Sequence, residues 1–309
     1  RHPRSAFLLA DKMPVVLIHK AEELEEYFQT QLSRCGVEYF DYYLIHDMGG
    51  DRIKSAEEMD VFGFLKKKKE DGIVKKIGFS FHDTADVLEH LLMEHPEVDF
   101  VQIQLNYLDW ESEVIQSHKC YDIAQKYGKP VIVMEPVKGG TLAKIPDKVE
   151  MLFRSYHPNM SAASWAIRFA ASHDNVMLVL SGMSNMEQLM DNTSYMENFE
   201  PLTAEELTVI DKVVSIINDS IAIPCTGCSY CINNCPMNIA IPKYFSLYNA
   251  DKQEVKEKGW TPQGEYYDRL TGTFGKASDC IACGKCEKIC PQNLPIIEDL
   301  KKVAEHFGK

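Results

Sequence analysis

The 309-residue chain has no apolar run long enough to cross a bilayer. Its richest stretches, such as Val176–Leu180, soon meet polar residues, whereas a spanning helix needs roughly 18–20 apolar positions. It is also short of positive charge: 33 Lys and Arg stand against 46 Asp and Glu, a formal net charge of −13. Phosphate neutralisation demands clustered cations, so this balance argues against sequence-independent nucleic-acid binding. The one basic run, Lys66–Lys69, ends in Glu70-Asp71-Gly72 and reads as the solvated last turn of a helix, closed by Gly72. No Met opens the chain and no signal-peptide core follows Arg1-His2-Pro3-Arg4, so the sequence reads as starting in mid-protein. The expected partners are therefore neither nucleic acid nor membrane. At 45% hydrophobic and 26% charged residues, the chain has the means to build a sizeable core.

Cysteine is abundant and unevenly placed: eight of ten lie after residue 224. Before that point, short β-branched runs alternate with longer amphipathic ones. Strands are expected at Ala6–Ala10, Asp41–His46, Lys76–Ser80, Phe100–Leu105, Val131–Glu135 and Val176–Ser181. Helices are expected near 21–35, 56–70, 84–94, 112–127, 161–172 and 203–218, the last opened by a Thr203/Glu206 capping box. Such alternation implies parallel βαβ units, and near-continuous apolar strands imply a sheet covered on both faces. A doubly wound sheet and a (β/α)8 barrel both fit. No G-x-G-x-x-G follows the first strand, which weakens the dinucleotide-binding version of the doubly wound fold. Every strand ends in polar chemistry, at Lys12, His46, Ser80, Gln102 with Asn106, Glu135 and Ser181–Ser184, as a barrel with its site at the strand C-termini requires.

An ordered set of motifs spans about residues 5–220. It runs through Phe7-Leu8-Leu9-Ala10-Asp11-Lys12, Asp41-Tyr42-Tyr43-Leu44-Ile45-His46, Ile77-Gly78-Phe79-Ser80, Val101–Tyr107, Pro136 with Gly139-Gly140, and Ser181-Gly182-Met183-Ser184-Asn185 with Gln188, Asp191 and Asn192. The set resembles the aldo-keto reductases from their third strand onward. The resemblance implies a (β/α)8 barrel with strands three to eight present over residues 1–220. It implies hydride exchange between NAD or NADP and a small-molecule carbonyl or alcohol. Lys12 would lower the pKa of a proton-donating Tyr and His46 would orient the carbonyl oxygen, chemistry an ammonium beside a phenol can supply. Ser80 and Gln102 would hold the nicotinamide carboxamide, with Met134 against the ring. The Gly182, Met183, Ser184 loop would meet the pyrophosphate, and Gln188 and Asn192 would complete the cofactor site. In the family, the Tyr and its Asp lie upstream of the third strand, so this 309-residue species is expected to lack carbonyl reductase activity. Gln188 in place of an Arg leaves a preference for NADP unsupported, and Phe81 after Ser80 and Met134 in place of an aromatic imply weak or altered nicotinamide binding. Met183, Met186 and Met190 are expected to fill the core, and Cys35 and Cys120 to be buried structural thiols.

The remaining cysteines repeat one pattern. Cys225-x2-Cys228-x2-Cys231-x3-Cys235-Pro236 recurs as Cys280-x2-Cys283-x2-Cys286-x3-Cys290-Pro291. This resembles the run of bacterial two-cluster ferredoxins, in which the fourth Cys ligates the other cluster. The implied sets are Cys225, Cys228, Cys231 and Cys290 for one [4Fe-4S] cluster, and Cys280, Cys283, Cys286 and Cys235 for the second. Zinc sites use two separated C-x2-C pairs rather than four Cys in eleven residues, and disulfides fit worse with iron–sulfur chemistry in a reducing cytoplasm. Residues 221–309 then form a dicluster domain with a 236–279 insert. That insert carries Tyr244–Ala250, Trp260 and Tyr266-Tyr267 and is expected to dock the domain on the barrel or shield a cluster, its aromatic residues serving as packing or as an electron path. Two functions are open. One is a nicotinamide-dependent oxidoreductase accompanied by one-electron transfer through two clusters, with a redox partner protein. The other is an electron-transfer protein whose barrel has lost hydride chemistry.

Overall fold

A computed structural model describes residues 2–112, 115–253 and 262–308. Six strands form one sheet: β1 (Ala10–Met13), β2 (Phe40–Met48), β3 (Val74–Phe81), β4 (Phe100–Gln104), β5 (Val131–Met134) and β6 (Val176–Val179). Between and after them lie α1 (Glu23–Cys35), α2 (Asp51–Glu58), α3 (Val61–Glu70), α4 (Ala85–Glu94), α5 (Ser117–Lys126), α6 (Asp147–Tyr156), α7 (Ala162–Ala171), α8 (Met186–Met196) and α9 (Ala204–Ser220). The cysteine-rich part adds α10 (Ile241–Gln253), α11 (Pro262–Thr271), the short α12 (Lys285–Lys288) and α13 (Ile296–Phe307).

All five strand pairings are parallel and the order is β1-β2-β3-β4-β5-β6. A doubly wound sheet reverses direction at a switch point, whereas sequential order is the winding of a (β/α) barrel. The alternative left open by the sequence is thus resolved in favour of the barrel type.

Packing divides the chain into two compact units. The first holds residues 1–136, 167–190 and 196–201; the second holds 137–166, 191–195 and 202–309. The packing division therefore does not follow the sequence boundary at 220/221.

In the first unit, cross-strand register decides which side chains share a face. Lys12 pairs with Leu44, Leu44 with Gly78, Ser80 with Gln102, Gln102 with Ile132 and Ile132 with Leu178. Strand side chains alternate, so these residues and His46, two on from Leu44, lie on one face. Below the polar residues, Leu44, Phe100 and Ile132 pack together with Tyr42. The opposite face carries the fully buried Tyr43, Ile45, Phe79, Val101 and Val133. Gly78 is required here: a Cβ would sit 2.6 Å from the Phe100 carbonyl oxygen and 2.7 Å from its ring.

Several local expectations are corrected. β1 starts at Ala10 rather than Ala6, because residues 4–6 form a 3-10 turn and Phe7 and Leu8 are exposed. The 56–70 helix is two, broken at Asp60, which adopts φ +50 and caps Gly63 N through Oδ1 at 3.2 Å. The lysine run is not wholly solvated: Lys68 is buried and pairs with Glu25 at 2.6 Å, and Lys69 pairs with Asp99 at 2.5 Å. Cys120 is buried as expected but Cys35 is exposed. Met183, Met186 and Met190 are exposed as well. The Thr203/Glu206 capping box forms in both directions, at 3.2 and 2.8 Å.

In the second unit the insert supplies the core. Tyr244, Phe245, Tyr248 and Tyr267 pack with Ile296, Leu300 and Val303 of α13. The Tyr244 hydroxyl donates to Gly275 O at 2.9 Å and the Tyr267 hydroxyl accepts from Ala277 N at 3.0 Å. Trp260 lies outside the described residues.

Gly78→Ala is expected to lower stability by about 1–3 kcal/mol, the usual cost of overpacking. Urea unfolding of the purified variant measures it; an unchanged midpoint would mean that Phe100 moves aside freely.

Candidate functional sites

The inner face of the first unit opens into a cavity of about 600 Å3 lined by Leu8, Ala10, Asp11, Lys12, Tyr42, Leu44, His46, Gln102, Ile132, Met177, Leu178 and Leu180. Three expected site residues, Lys12, His46 and Gln102, meet there. An apolar wall with a few convergent polar groups is the usual form of a small-molecule site. Burial pulls the Lys12 ammonium below its ordinary range, with Asp47 opposing. Burial, then the positive charge of Lys12, lowers His46, which leaves a neutral imidazole able to donate to a carbonyl oxygen.

The other nicotinamide candidates are placed less openly. Ser80 is fully buried and its Oγ accepts from Asp47 N at 2.8 Å. Gln102 Nε2 donates to Met134 Sδ at 3.1 Å, so Met134 touches the carboxamide candidate directly. In the Gly182–Asn185 loop, Ser184 N donates to Gln188 Oε1 at 2.6 Å, and Gln188 N donates to Asn185 Oδ1 at 2.9 Å. The Gln188 side chain is thus turned back onto the loop that would meet phosphate. Asn192 falls in the second unit, where its Oδ1 accepts from the Tyr195 hydroxyl at 2.7 Å.

Sequence reading missed a cluster beside His46. Asp47 takes φ +64, rare for a residue with a side chain. Arg52 fixes it, with Nε donating to Asp47 O at 2.6 Å and NH2 3.1 Å from Oδ1. His82 belongs to the same group: burial pushes it down to about 4, with Arg52, Lys12 and His46 adding and Asp47 opposing. The signal available was the His46-Asp47 pair at a strand end.

The second unit gathers the cysteines. Burial raises the Cys225 thiol to about 11, Cys231 to about 12 and Cys286 to about 11. Mutual repulsion adds to this: Cys228 and Cys290 act on Cys225, the same two with Cys225 act on Cys231, and Cys228 acts on Cys290. The four sulfurs of the first expected set are therefore neighbours. In the second set Cys280 acts on Cys286, while Cys235 Sγ accepts from Ile239 N at 3.5 Å.

The two runs share a backbone. Gly227 and Ala282, Ser229 and Gly284, and Asn238 and Asn293 all take positive φ, between 47° and 72°. Each pair occupies equivalent positions, 55 residues apart. Left-handed residues flank the second cysteine in both runs and follow the fourth, so the two runs turn in the same way at equivalent positions.

Among the described residues no three cysteine sulfurs lie within 4.8 Å of one another. The one trio of donor atoms within 4.8 Å among the described residues is Glu57, Glu94 and His95. There the His95 nitrogens pair with Glu57 at 2.8 Å and Glu97 at 3.2 Å, and the ring stacks on Phe62.

Comparison with known proteins fits both halves. Residues 1–215 match the aldo/keto reductase family and residues 224–294 match a 4Fe-4S dicluster domain. The chain belongs to the aldo/keto reductase family. An aldo-keto reductase of Mycolicibacterium smegmatis is 29% identical over 59% of this chain and 59% of its own length, so the chain spans about three fifths of that relative. A component of the ion-translocating oxidoreductase complex of Buchnera aphidicola is 32% identical over 24% of this chain and 12% of its own. Among solved structures, the holo form of an aldo-keto reductase from Bacillus halodurans aligns with a TM-score of 0.56 at 22% identity. It covers 68% of this chain and 73% of that one. A Klebsiella pneumoniae aldo-keto reductase in complex with NADPH gives 0.54 at 19% identity, covering 68% and 71%. These structural likenesses establish the fold.

The lowered His82 has a stability consequence. Its unfolded value near 6.5 exceeds the folded value of about 4, so the unfolded state binds the proton first. The contribution is complete above about pH 6.5, falls as pH drops toward 4 and levels off below. Its full size is on the order of 3 kcal/mol. Urea unfolding across pH 4–7 should show a shallower acid decline for His82→Gln than for wild type; parallel curves would place His82 in water.

Proposed function

We infer that the protein is a nicotinamide-dependent oxidoreductase of the aldo-keto reductase type that carries two [4Fe-4S] clusters and passes single electrons to or from a partner protein. One observation carries the barrel half: Lys12, His46 and Gln102 line a single cavity on the inner face of a barrel-order sheet. The reading of the other half rests on the repeated cysteine loops and their matched backbone.

In this reading a small carbonyl or alcohol enters between Lys12 and His46. His46 holds its oxygen by donating a hydrogen bond, and the Lys12 ammonium favours the ionised form of the proton-donating group. Gln102 and Ser80 hold the carboxamide of the nicotinamide, which supplies hydride when bound. The loop at Gly182, Met183 and Ser184 meets the pyrophosphate once Gln188 swings off Ser184 N. Gln188 brings no charge to a 2′-phosphate, so NADP is not strongly favoured over NAD.

The clusters take Cys225, Cys228, Cys231 and Cys290 in the first set and Cys280, Cys283, Cys286 and Cys235 in the second. Their thiolates repel, and the positive charge of iron offsets that repulsion. A hydride moves two electrons at once and each cluster moves one, an exchange that takes a flavin or radical intermediary, so the clusters serve an external redox protein.

One observation favours the alternative of a barrel without hydride chemistry: Gln102 and Ser184 N are already engaged, by Met134 and Gln188. Fluorescence titration with NADH and NADPH decides between the two. The oxidoreductase reading expects both to bind with affinities within a hundredfold, since a larger margin, about 2.7 kcal/mol, needs a dedicated cation. Gln102→Leu should weaken binding about tenfold, one lost hydrogen bond's worth. Failure of wild type to bind either nucleotide leaves the electron-transfer reading.

Anaerobically prepared protein should contain about eight iron and eight sulfide per chain, the content of two cubanes. Its broad visible absorbance should bleach with dithionite. Two zinc ions per chain and no visible absorbance would overturn the cluster assignment.

A further inference from the structure

The turn after β5, Lys138-Gly139-Gly140, belongs to the second unit with the cysteine loops. Three observations tie it to the first cysteine set. Lys138 is almost fully buried, 3% exposed, and its Nζ donates to Gln292 Oε1 at 2.9 Å. Gln292 lies two residues beyond Cys290. Gly139, at φ +61, approaches the Cys225 loop so closely that a Cβ would meet Thr226 O at 2.7 Å. Lys138 and Cys225 also line one cavity of about 370 Å3, together with Thr141, Lys144, Pro224 and Asn249.

The burial of this lysine is costly and comes with backbone strain. Lys138 itself adopts φ +48, a conformation that residues with a Cβ avoid. An ammonium taken out of water is stabilised by negative charge placed close to it. The Lys138 charge acts on the sulfur of Cys225, and the bond to Gln292 holds it beside the Cys290 loop. A thiolate-bound cluster puts negative charge at that point.

We propose that Lys138 is a built-in countercharge for the first cluster: its buried ammonium, held between the Cys225 and Cys290 loops, favours reduction of the Cys225, Cys228, Cys231 and Cys290 cluster. The inference rests on the cluster assignment above. When a one-electron donor reduces that cluster, it gains one negative charge and no bond is made or broken. A buried cation held beside the cysteine loops stabilises the reduced form more than the oxidised one. In the second set the charges that act on Cys286 are both negative, those of Glu287 and Cys280. Lys138 is therefore a positioning residue that sets the potential of one cluster and distinguishes it from the other.

The test is an anaerobic redox titration followed by electron paramagnetic resonance, with iron analysis of each preparation. Cys283→Ser, which alters only the second set, assigns the two waves. Lys138→Met should keep eight irons and make reduction of the first cluster at least tenfold less favourable, a fall of about 59 mV for one electron, with the second wave unmoved. Lys138→Arg should restore the wild-type value. Should Lys138→Met not load, Gln292→Glu places a carboxylate on the Lys138 ammonium and should lower the same wave. Unmoved waves in loaded neutral variants, or equal movement of both, would overturn the proposal. Wild-type protein without iron would instead overturn the cluster assignment itself.

Discussion

Register in the parallel sheet is the constraint on which the first unit depends. Parallel pairing leaves no freedom to choose which residues share a face once one pair is set. With Lys12 opposite Leu44 and Gln102 opposite Ile132, an apolar layer of Leu44, Phe100 and Ile132 lies beneath a polar one. A slip of one residue in β2 would turn His46 and Leu44 outward and Tyr43 and Ile45 inward. The apolar layer below holds the register, and the register assembles the cavity.

The charges of that cavity and of the cluster beside it are coupled rather than independent. Lys12, His46, His82, Asp47 and Arg52 act on one another, and Asp47 is held in a left-handed conformation by Arg52. Asp47 opposes the loss of charge on both Lys12 and His46. It is the carboxylate of this otherwise basic group, so its placement sets how much positive potential a bound oxygen meets.

Much of this was legible in the sequence because the signals were periodic or chemically specific. Alternating β-branched runs gave the strand count and order, and Lys12, His46 and Gln102 could be placed at strand ends. The cysteine spacing named all eight candidate ligands. Other features depend on contacts remote in sequence. Asp60 breaks a helix by taking a left-handed conformation and capping Gly63 N; Asp favours both roles, a signal the continuous 56–70 reading passed over. Met183, Met186 and Met190 repeat like a core stripe, but α8 and the loop before it leave them exposed. Nothing in the sequence sets Lys138 apart; its burial accompanies the approach of Gly139 to Thr226, 87 positions along the chain.

The 55-residue repeat in the second unit has a consequence for assembly. Each half contributes its curled loop, its left-handed asparagine and its following helix, α10 or α13. Under the ligand sets proposed above, each centre draws one sulfur from the other half, so displacing either loop moves a ligand of both centres at once.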